Sequence, residues 1–260
     1  MTDFLMRDDA PFGAKGWAAI DGVVTGVAKK LLVGRRFIEL TGPLGIGVQT
    51  VPIFGVGVQG SVVQVTRRDF LTMRMIQQDF MLSALDIETA KAQGVGIEIG
   101  PAAAAAAACA RAEDEMIFGA LIGATGSKRV ELSDWSEPGA ALNDVVAATE
   151  ALVDDGLFGP FALALSPALY ARTQRVSRGM GRMVSKLIKD VVEGGMFRSP
   201  CLQADQGVVV SLGKHNIDLV VGQDLVTAYL GNEELDYRFR VLESLVLRIK
   251  RPGAICTLTR

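Results

Sequence analysis

The sequence predicts an α+β fold, because its helical and strand-like segments occur in separate runs rather than in regular alternation. Pro101 to Gly123 is rich in alanine and begins with a proline, which is favoured at the first position of a helix. At about 1.5 Å per residue this segment forms a helix of about 35 Å, and its alanines let other elements approach closely. Three β-branched, apolar segments near the end of the chain predict strands: GVVVSL, NIDLVVGQDLVTAYL and YRFRVLESLVLRIK.

The composition excludes several classes of partner. The chain has 260 residues with 27 basic and 29 acidic side chains, a net charge of −2, so no overall field attracts nucleic acid or an anionic membrane. Cys109, Cys201 and Cys256 are odd in number and not at metal-binding spacing, which suits a reducing compartment. The first residues, MTDFLMRDDAPF, lack the basic start and apolar run of a signal peptide. We therefore expect a cytoplasmic protein with no nucleic-acid or membrane partner.

An amphipathic helix is predicted near the N-terminus. Apolar residues recur there at helical spacing, at Trp17, Ile20, Val24, Val27 and Leu31. The segment RRFIELTGPLG that follows alternates in polarity, which predicts a strand ending at a Gly-Pro turn.

Residues 44–70 predict an exposed β-hairpin. The segment GVGVQG contains the spacing GxGxxG (Gly55, Gly57, Gly60), which binds a dinucleotide phosphate when it joins a strand to a helix. Here the alternating, β-branched SVVQVTRRDF follows, so no helix N-terminus is available to receive a phosphate. A bare apolar hairpin is an aggregation hazard, and we expect it to lie on a neighbouring subunit.

Two further helical patterns lie at 144–153 and 172–192, and between them GPFALALSP predicts a buried strand that ends at proline. Within the second pattern, Gly179 and Gly181 favour a break into a loop. If the pattern were helical, four basic residues would share one face: Arg172, Arg175, Arg178 and Arg182.

No set of residues predicts catalysis. His215 lies in the turn GKHN, without a second histidine to form a metal or acid–base site. Glu113, Asp114 and Glu115 occupy adjacent helical positions and point in different directions, so they are interpreted as helix-surface charges or contacts with a neighbouring subunit. The segment GQD at 222–224 has the composition of a turn. We assign no catalytic residue, metal or cofactor.

Several motifs together resemble one family. DLVVGQDLVTAYL and YRFRVLESLVLRI resemble the C-terminal signature of family 1 encapsulins, nanocompartment shell proteins once described as linocin-type bacteriocins. GRRFIELTGPLG (34–45), AEDEMIFGA (112–120) and GPFALALSPALYAR (159–172) resemble further motifs of that family. The similarity runs in order over nearly the whole chain, so the set is more specific than any single motif.

The resemblance implies the HK97-type fold of phage major capsid proteins, with an N-terminal helix, an extended loop, a peripheral domain and an axial domain. The corresponding segments are 1–43 for the N-terminal helix and first strand, 44–70 for the extended loop, 71–129 for the peripheral domain with its spine helix, 130–225 for the axial domain and 226–260 for strands returning to the peripheral domain.

The resemblance also implies an icosahedral shell, expected to contain about 60 copies (T=1) because the chain is short for this fold. Such shells enclose a ferritin-like, peroxidase or other redox or iron-handling enzyme through a targeting peptide on that cargo. The residues that match the family's peptide groove are Trp17, Ile20, Val24, Arg35, Phe37 and Glu39. Two alternatives stay open: Trp17 and Ile20 are core residues, and Arg35 and Glu39 pair only with each other.

Two segments depart from the family pattern. Some encapsulins stack a flavin on an aromatic side chain before the spine helix, whereas Leu85 stands at the matching place, so no flavin is expected. The resemblance also implies a loop facing the five-fold axis, where SRGMG replaces the family's usual GYP. The pore residues expected from this placement are Arg175, Ser177, Arg178 and Met180. Five copies of Arg175 or Arg178 would form a positive ring that favours anions over cations.

Other functions remain possible from the sequence alone. A phage or prophage capsid protein that packages DNA would share the fold, and neighbouring portal and terminase genes would identify it. A secreted bacteriocin or a protease is a third alternative. The sequence offers it neither a catalytic cluster nor an export signal.

Overall fold

The computed structural model describes residues 4–176 and 181–260. The helices are α1 (Ala14–Leu31), α2 (Ala84–Gln93), α3 (Gly100–Ile122), α4 (Ala140–Val153), α5 (Pro167–Thr173) and α6 (Val184–Val191). The strands are β1 (Leu40–Thr41), β2 (Thr50–Gln59), β3 (Val62–Thr72), β4 (Arg74–Ser83), β5 (Lys128–Glu131), β6 (Phe161–Leu165), β7 (Gly195–Arg198), β8 (Gln206–Ser211), β9 (Ile217–Glu233), β10 (Asp236–Ile249) and β11 (Ile255–Thr259). In the described part of the chain no helix is long and apolar enough to cross a membrane.

The first layer is a four-stranded sheet in the order β1-β9-β10-β4, covered by α1 and α3. The two long C-terminal strands, β9 and β10, pair antiparallel along most of their length, as predicted. On α3 the alanines Ala102, Ala105 and Ala106 are buried, so the backbone of this helix lies close to the sheet. The aromatic rings of Phe80 and Phe239 stack between the strands at 5.3 Å. The larger hydrophobic core is centred on this layer and extends to Ala162 of β6, Val208 of β8 and Ile255 of β11.

The second layer is a five-stranded sheet in the order β5-β11-β8-β6-β7. The helices α4 and α6 pack on it, and Val145, Leu152 and Ile188 are fully buried there. The predicted segments 130–225 and 226–260 are each divided between the layers. β9 crosses the boundary between these segments and lies in the first layer, whereas β6, β7 and β8 of the earlier segment and β11 of the later one lie in the second layer.

The predicted hairpin is confirmed as β2 and β3, joined by a two-residue turn at Gly60 and Ser61. A strand, not a helix, follows GVGVQG, so the glycine spacing builds a hairpin tip and not a phosphate loop. Val58 is 70% exposed and Phe70 is 71% exposed. An apolar two-stranded hairpin with so little cover needs a partner surface.

One prediction is wrong in detail. The segment RRFIELTGPLG begins within a 3-10 turn at Gly34–Arg36 and then forms only the short strand β1. The adjacent side chains of Phe37 and Ile38 are both buried, unlike neighbouring residues of a strand. The pattern at 172–192 is interrupted, as expected, since α5 ends at Thr173 and α6 begins at Val184. A β-bridge between Val176 and Met183 closes the intervening loop.

The segment that leads into the hairpin is fastened to β9. The amide of Leu44 donates to the carbonyl oxygen of Val221 at 3.0 Å, and the amide of Gly45 donates to that of Gly222 at 2.8 Å. Gly42 has a φ of +119°, and a Cβ atom there would overlap the carbonyl oxygen of Val221. Only glycine permits this close approach.

We expect Gly42→Ala to destabilise the fold by about 1–3 kcal/mol, because the new methyl group meets the backbone of β9 and the positive φ is strained. The measurement is the thermal unfolding temperature at one protein concentration. Gly47→Ala is the matched control, since a Cβ atom there meets nothing within 4 Å. Equal unfolding temperatures for the two variants would contradict the close-approach argument.

Candidate functional site

A groove of about 380 Å³ lies beside the C-terminal half of α1. Its walls come from α1, from the 3-10 turn that follows, and from a bulged part of β9. Its lining residues are Thr25, Ala28, Lys29, Leu32, Arg35, Arg36, Leu40, Asp224 and Leu225.

The floor of this groove is apolar. Ala28 and Leu32 are buried against Ala110 of α3, and the partly buried Leu225 packs on them from β9. Leu40 is 41% exposed at the edge. Charged groups, by contrast, gather at the end formed by the 3-10 turn and β9, so the groove combines an apolar pocket with a polar end.

Arg35 organises the polar end. Its Nε donates to both carboxylate oxygens of Glu113, at 2.8 and 3.0 Å. Its Nη2 donates to Glu113 at 2.7 Å and to Glu243 at 2.8 Å, and its Nη1 donates to Asp224 at 2.6 Å. Burial alone would lower the pKa of the Arg35 guanidinium, but its hydrogen bonds and attraction to these carboxylates raise that pKa, so the group stays charged.

The three carboxyl groups around Arg35 differ in environment. The side chains of Glu113 and Glu243 are fully buried, whereas that of Asp224 is 60% exposed. Burial and the negative charge of Glu113 raise the pKa of Glu243 to about 9, against the attraction of Arg35. Burial would raise the pKa of Asp224, but the hydrogen bond from Arg35 lowers it. Asp224 is therefore the exposed negative charge of the groove.

Asp114 holds the 3-10 turn in place. Its carboxylate accepts from the amide of Gly34 at 2.9 Å and from that of Val33 at 3.2 and 2.9 Å. Burial raises the pKa of Asp114 to about 6, although the two backbone N–H groups oppose this shift. Because Arg35 follows Gly34 directly, the acid that fixes the turn also sets where the Arg35 side chain begins.

Residues 1–246 match the family described as "Encapsulating protein for peroxidase". The chain is also 41% identical to the type 1 encapsulin shell protein EncA of Myxococcus xanthus, over 99% of this chain and 97% of that protein. The chain belongs to the encapsulin shell-protein family.

Other comparisons extend this result. The diheme-cytochrome-encapsulin shell fusion protein of Kuenenia stuttgartiensis is 38% identical, over 93% of this chain and 72% of the fusion. The fold is similar to the virus-like particle of Pyrococcus furiosus, with a TM-score of 0.83 at 22% identity over 92% of this chain and 97% of the other. It is also similar to the capsid of Myoviridae phage XM1, with a TM-score of 0.65 at 11% identity over 88% and 91% of the two chains. The predicted phage-capsid type of fold is confirmed.

The encapsulin groove residues taken from the sequence fall into two groups. Trp17, Ile20 and Val24 lie in the first-layer core, so Trp17 and Ile20 are core residues, the alternative left open above. Phe37 is also buried and stacks on Phe197 at 5.2 Å. The apolar stripe of α1 packs against α3 and the first sheet of the same chain. The groove lining therefore includes none of these four side chains.

Arg35 does line the groove, but its ion-pair partners do not include Glu39. It pairs with Glu113, Asp224 and Glu243, whereas Glu39 is exposed and its carbonyl oxygen accepts from Leu219. The alternative that Arg35 and Glu39 pair only with each other is therefore excluded.

The interpretation of the acidic trio as surface charges is also wrong for two of its members. Glu113 and Asp114 are buried, because one faces Arg35 and the other caps the turn. Only Glu115 is exposed, and it pairs with Arg111 at 2.9 Å. Among the described residues, no three acidic, histidine or cysteine side chains are grouped to hold a metal ion.

Several groove residues were missed from the sequence. Asp224 lies in a bulged stretch of β9 and not in a turn, and its Oδ1 accepts from the amide of Leu225 at 2.9 Å. Thr25 and Lys29 lie on the exposed side of α1, outside the apolar stripe. Leu32 follows the helix directly and is buried. The available signal was the run of polar residues that interrupts the strand pattern at GQD.

The remaining predicted sites lie away from the groove. Arg175 is exposed just after α5 and lines a different cavity, of about 320 Å³, with Trp135 and Arg172. Ser177, Arg178 and Met180 lie outside the described residues, so the positive pore ring stays a prediction. Leu85 is 75% exposed in α2, and His215 is exposed in a turn between β8 and β9.

We expect Arg35→Met to destabilise the subunit by about 3–5 kcal/mol, because removing one member of a buried ion cluster leaves its acidic partners without compensation. A lower thermal unfolding temperature would show the effect. Arg36→Met is the matched control, since Arg36 is exposed and donates only to the carbonyl oxygen of Lys30 in the described contacts. If both variants unfold at the same temperature as the wild type, the ion cluster does not stabilise the fold.

Proposed function

We propose that this chain is the self-assembling shell protein of an encapsulin nanocompartment, and that the groove beside α1 binds the targeting peptide of a cargo enzyme. The observation that carries the proposal is the groove itself, an apolar pocket with a fixed ion cluster, in a chain of the encapsulin family. We propose an icosahedral shell of about 60 copies in the cytoplasm, without catalytic activity of its own.

The exposed hairpin supports assembly. β2 and β3 pair only with each other in the described sheets, and their apolar side chains are largely exposed. Such a hairpin is stabilised when a neighbouring subunit covers it, because a two-stranded ribbon alone is marginal in water. The similarity to a virus-like particle and to a phage capsid supports a closed shell built from repeated contacts of this kind.

The dimensions and chemistry of the groove support a peptide ligand. A pocket of about 380 Å³ has room for one or two apolar side chains, which Leu32 and Leu225 would contact. Asp224 and Arg35 supply an acceptor and a donor beside that pocket. Peptide recognition commonly combines such apolar anchors with a few fixed polar contacts.

The cargo is proposed to be a redox or iron-handling enzyme such as a peroxidase or a ferritin-like protein. The family description mentions a peroxidase, and one relative is named as a fusion of a shell with a diheme cytochrome. A phage capsid that packages DNA is the second candidate, favoured only by the shared fold. No comparison favours a secreted bacteriocin or a protease.

Electron microscopy tests the assembly. We expect the purified chain to form closed empty shells when expressed alone and filled shells when co-expressed with the enzyme encoded beside its gene. Monomers in both samples would contradict the proposal. Shells containing nuclease-protected DNA would favour the phage capsid instead.

Leu225→Asp tests the groove. We expect its shells to assemble but to hold at least about tenfold less cargo, because a charge replaces apolar contact in the pocket. Cargo per shell is measured by quantitative gel densitometry after co-expression. Leu85→Asp is the matched control, a change of the same kind at an exposed position outside the groove. Equal loss of cargo in both variants would place the peptide elsewhere.

A further inference from the structure

Two buried carboxyl groups meet one guanidinium nitrogen beneath the groove. Oε2 of Glu113 lies 2.7 Å and Oε2 of Glu243 lies 2.8 Å from Nη2 of Arg35. Both acids are fully buried, so water does not screen them from each other. Two ionised carboxylates held this close by a single cation would repel strongly.

The second oxygen of Glu243 indicates how this repulsion is avoided. Oε1 of Glu243 is buried and accepts no hydrogen bond from the described residues. A buried oxygen without a partner is costly if it belongs to a carboxylate, but a protonated carboxyl group can instead donate to a neighbouring carboxylate. Glu113 is that neighbour, and the hydrogen bond with it helps burial and charge repulsion to raise the pKa of Glu243 to about 9.

The hydrogen bonds of Arg35 leave one donor for the groove. Its Nε–H and both Nη2–H groups are committed to Glu113 and Glu243, and one Nη1–H is committed to Asp224. A guanidinium has five N–H groups in a fixed plane, so the second Nη1–H is the uncommitted one. Its neighbour Asp224 uses Oδ1 for both of its described hydrogen bonds, which leaves Oδ2 as an acceptor on an exposed side chain.

We propose that Glu113 and Glu243 share one proton and act as a positioning pair, holding Arg35 so that its second Nη1–H and Oδ2 of Asp224 present a donor and an acceptor to a peptide main chain in the groove. A peptide bond offers the complementary groups, a carbonyl oxygen for Arg35 and an N–H for Asp224. This inference rests on the proposed cargo-peptide function and adds how that peptide's backbone is recognised.

Loss of the shared proton would disturb the pair. The titratable groups that face Glu243 are Arg35 from the 3-10 turn, Glu113 and Cys109 from α3, and Asp224 from β9. Burial and the negative charge of Glu243 raise the pKa of Cys109 to about 12, so its thiol stays neutral over the pH range considered. When Glu243 ionises, two buried carboxylates attract Arg35, and its uncommitted N–H turns inward, away from the groove.

Infrared spectroscopy of purified shells tests the shared proton without any ligand. At pH 8 we expect a carbonyl stretching band from the carboxylic acid that holds the shared proton. Asp114 does not contribute to this band, because burial raises its pKa only to about 6. The band disappears as the pH is raised through about 9. It is absent in Glu243→Gln shells and present in the control Glu115→Gln, which removes an exposed acid of the same helix as Glu113. A spectrum without the band at pH 8, or a band that survives in Glu243→Gln, would overturn the proposal.

Peptide binding tests the positioning role. The probe is a labelled synthetic peptide with the terminal sequence of the co-encoded cargo enzyme, measured by equilibrium dialysis. If only the protonated pair holds Arg35 correctly, wild-type affinity falls about tenfold between pH 8 and pH 10, as the competent fraction falls. Glutamine can donate to Glu113 but cannot ionise, so affinity for Glu243→Gln shells does not fall with pH beyond the change due to the peptide itself. Glu115→Gln follows the wild type.

The outcomes separate the two proposals. No peptide binding by wild-type shells at pH 8 would sink the proposed cargo function, and the infrared result alone would then decide whether the proton is shared. Binding with the same pH dependence in wild-type and Glu243→Gln shells would keep the cargo function and overturn the positioning role of the acid pair.

Discussion

The burial of two adjacent acids on α3 is the constraint on which the rest of the structure depends. Glu113 and Asp114 lie where the N-terminal helix, the spine helix and the first sheet converge, and each needs partners that water would otherwise supply. Asp114 obtains them from the backbone of the turn after α1, and Glu113 from Arg35. The acids therefore fix the direction in which the chain leaves α1, and with it the path toward β1 and the hairpin.

The alanine-rich first half of α3 and its acidic second half complement each other. Small side chains bring the helix backbone close to the sheet at Ala102 and Ala106, and this proximity excludes water from the layer below. Because water is excluded there, the buried charges in the second half of α3 destabilise the fold unless each of them is paired. A groove built above such a cluster inherits a rigid polar end, because Arg35 has three acidic partners rather than one flexible one.

Periodicity predicted the elements that depend on local pattern. The stripe of α1, the alanine helix, the hairpin and the long C-terminal strands were all visible in the sequence because each repeats over many residues. The groove was not visible, since its walls come from residues almost two hundred positions apart, and the place of Leu225 depends on a bulge in the pairing of β9 with β10. Burial of Glu113 and Asp114 was likewise hidden, because an acid on a helix looks exposed until its distant partner is known. RRFIEL failed as a strand because a turn capped by α3 overrode its alternation.

The position of β11 has a consequence for the order of events during synthesis. This strand lies between β5 and β8, so the second sheet is split until residues 255–259 are available. The ribosome covers the most recently made part of a chain, and domains generally fold as complete units. The first layer can thus fold while translation continues, but the second sheet is complete only after residue 259 has emerged from the ribosome. Chains that stop before residue 255 lack this strand altogether. Translation itself therefore delays completion of the second sheet until these residues have been made.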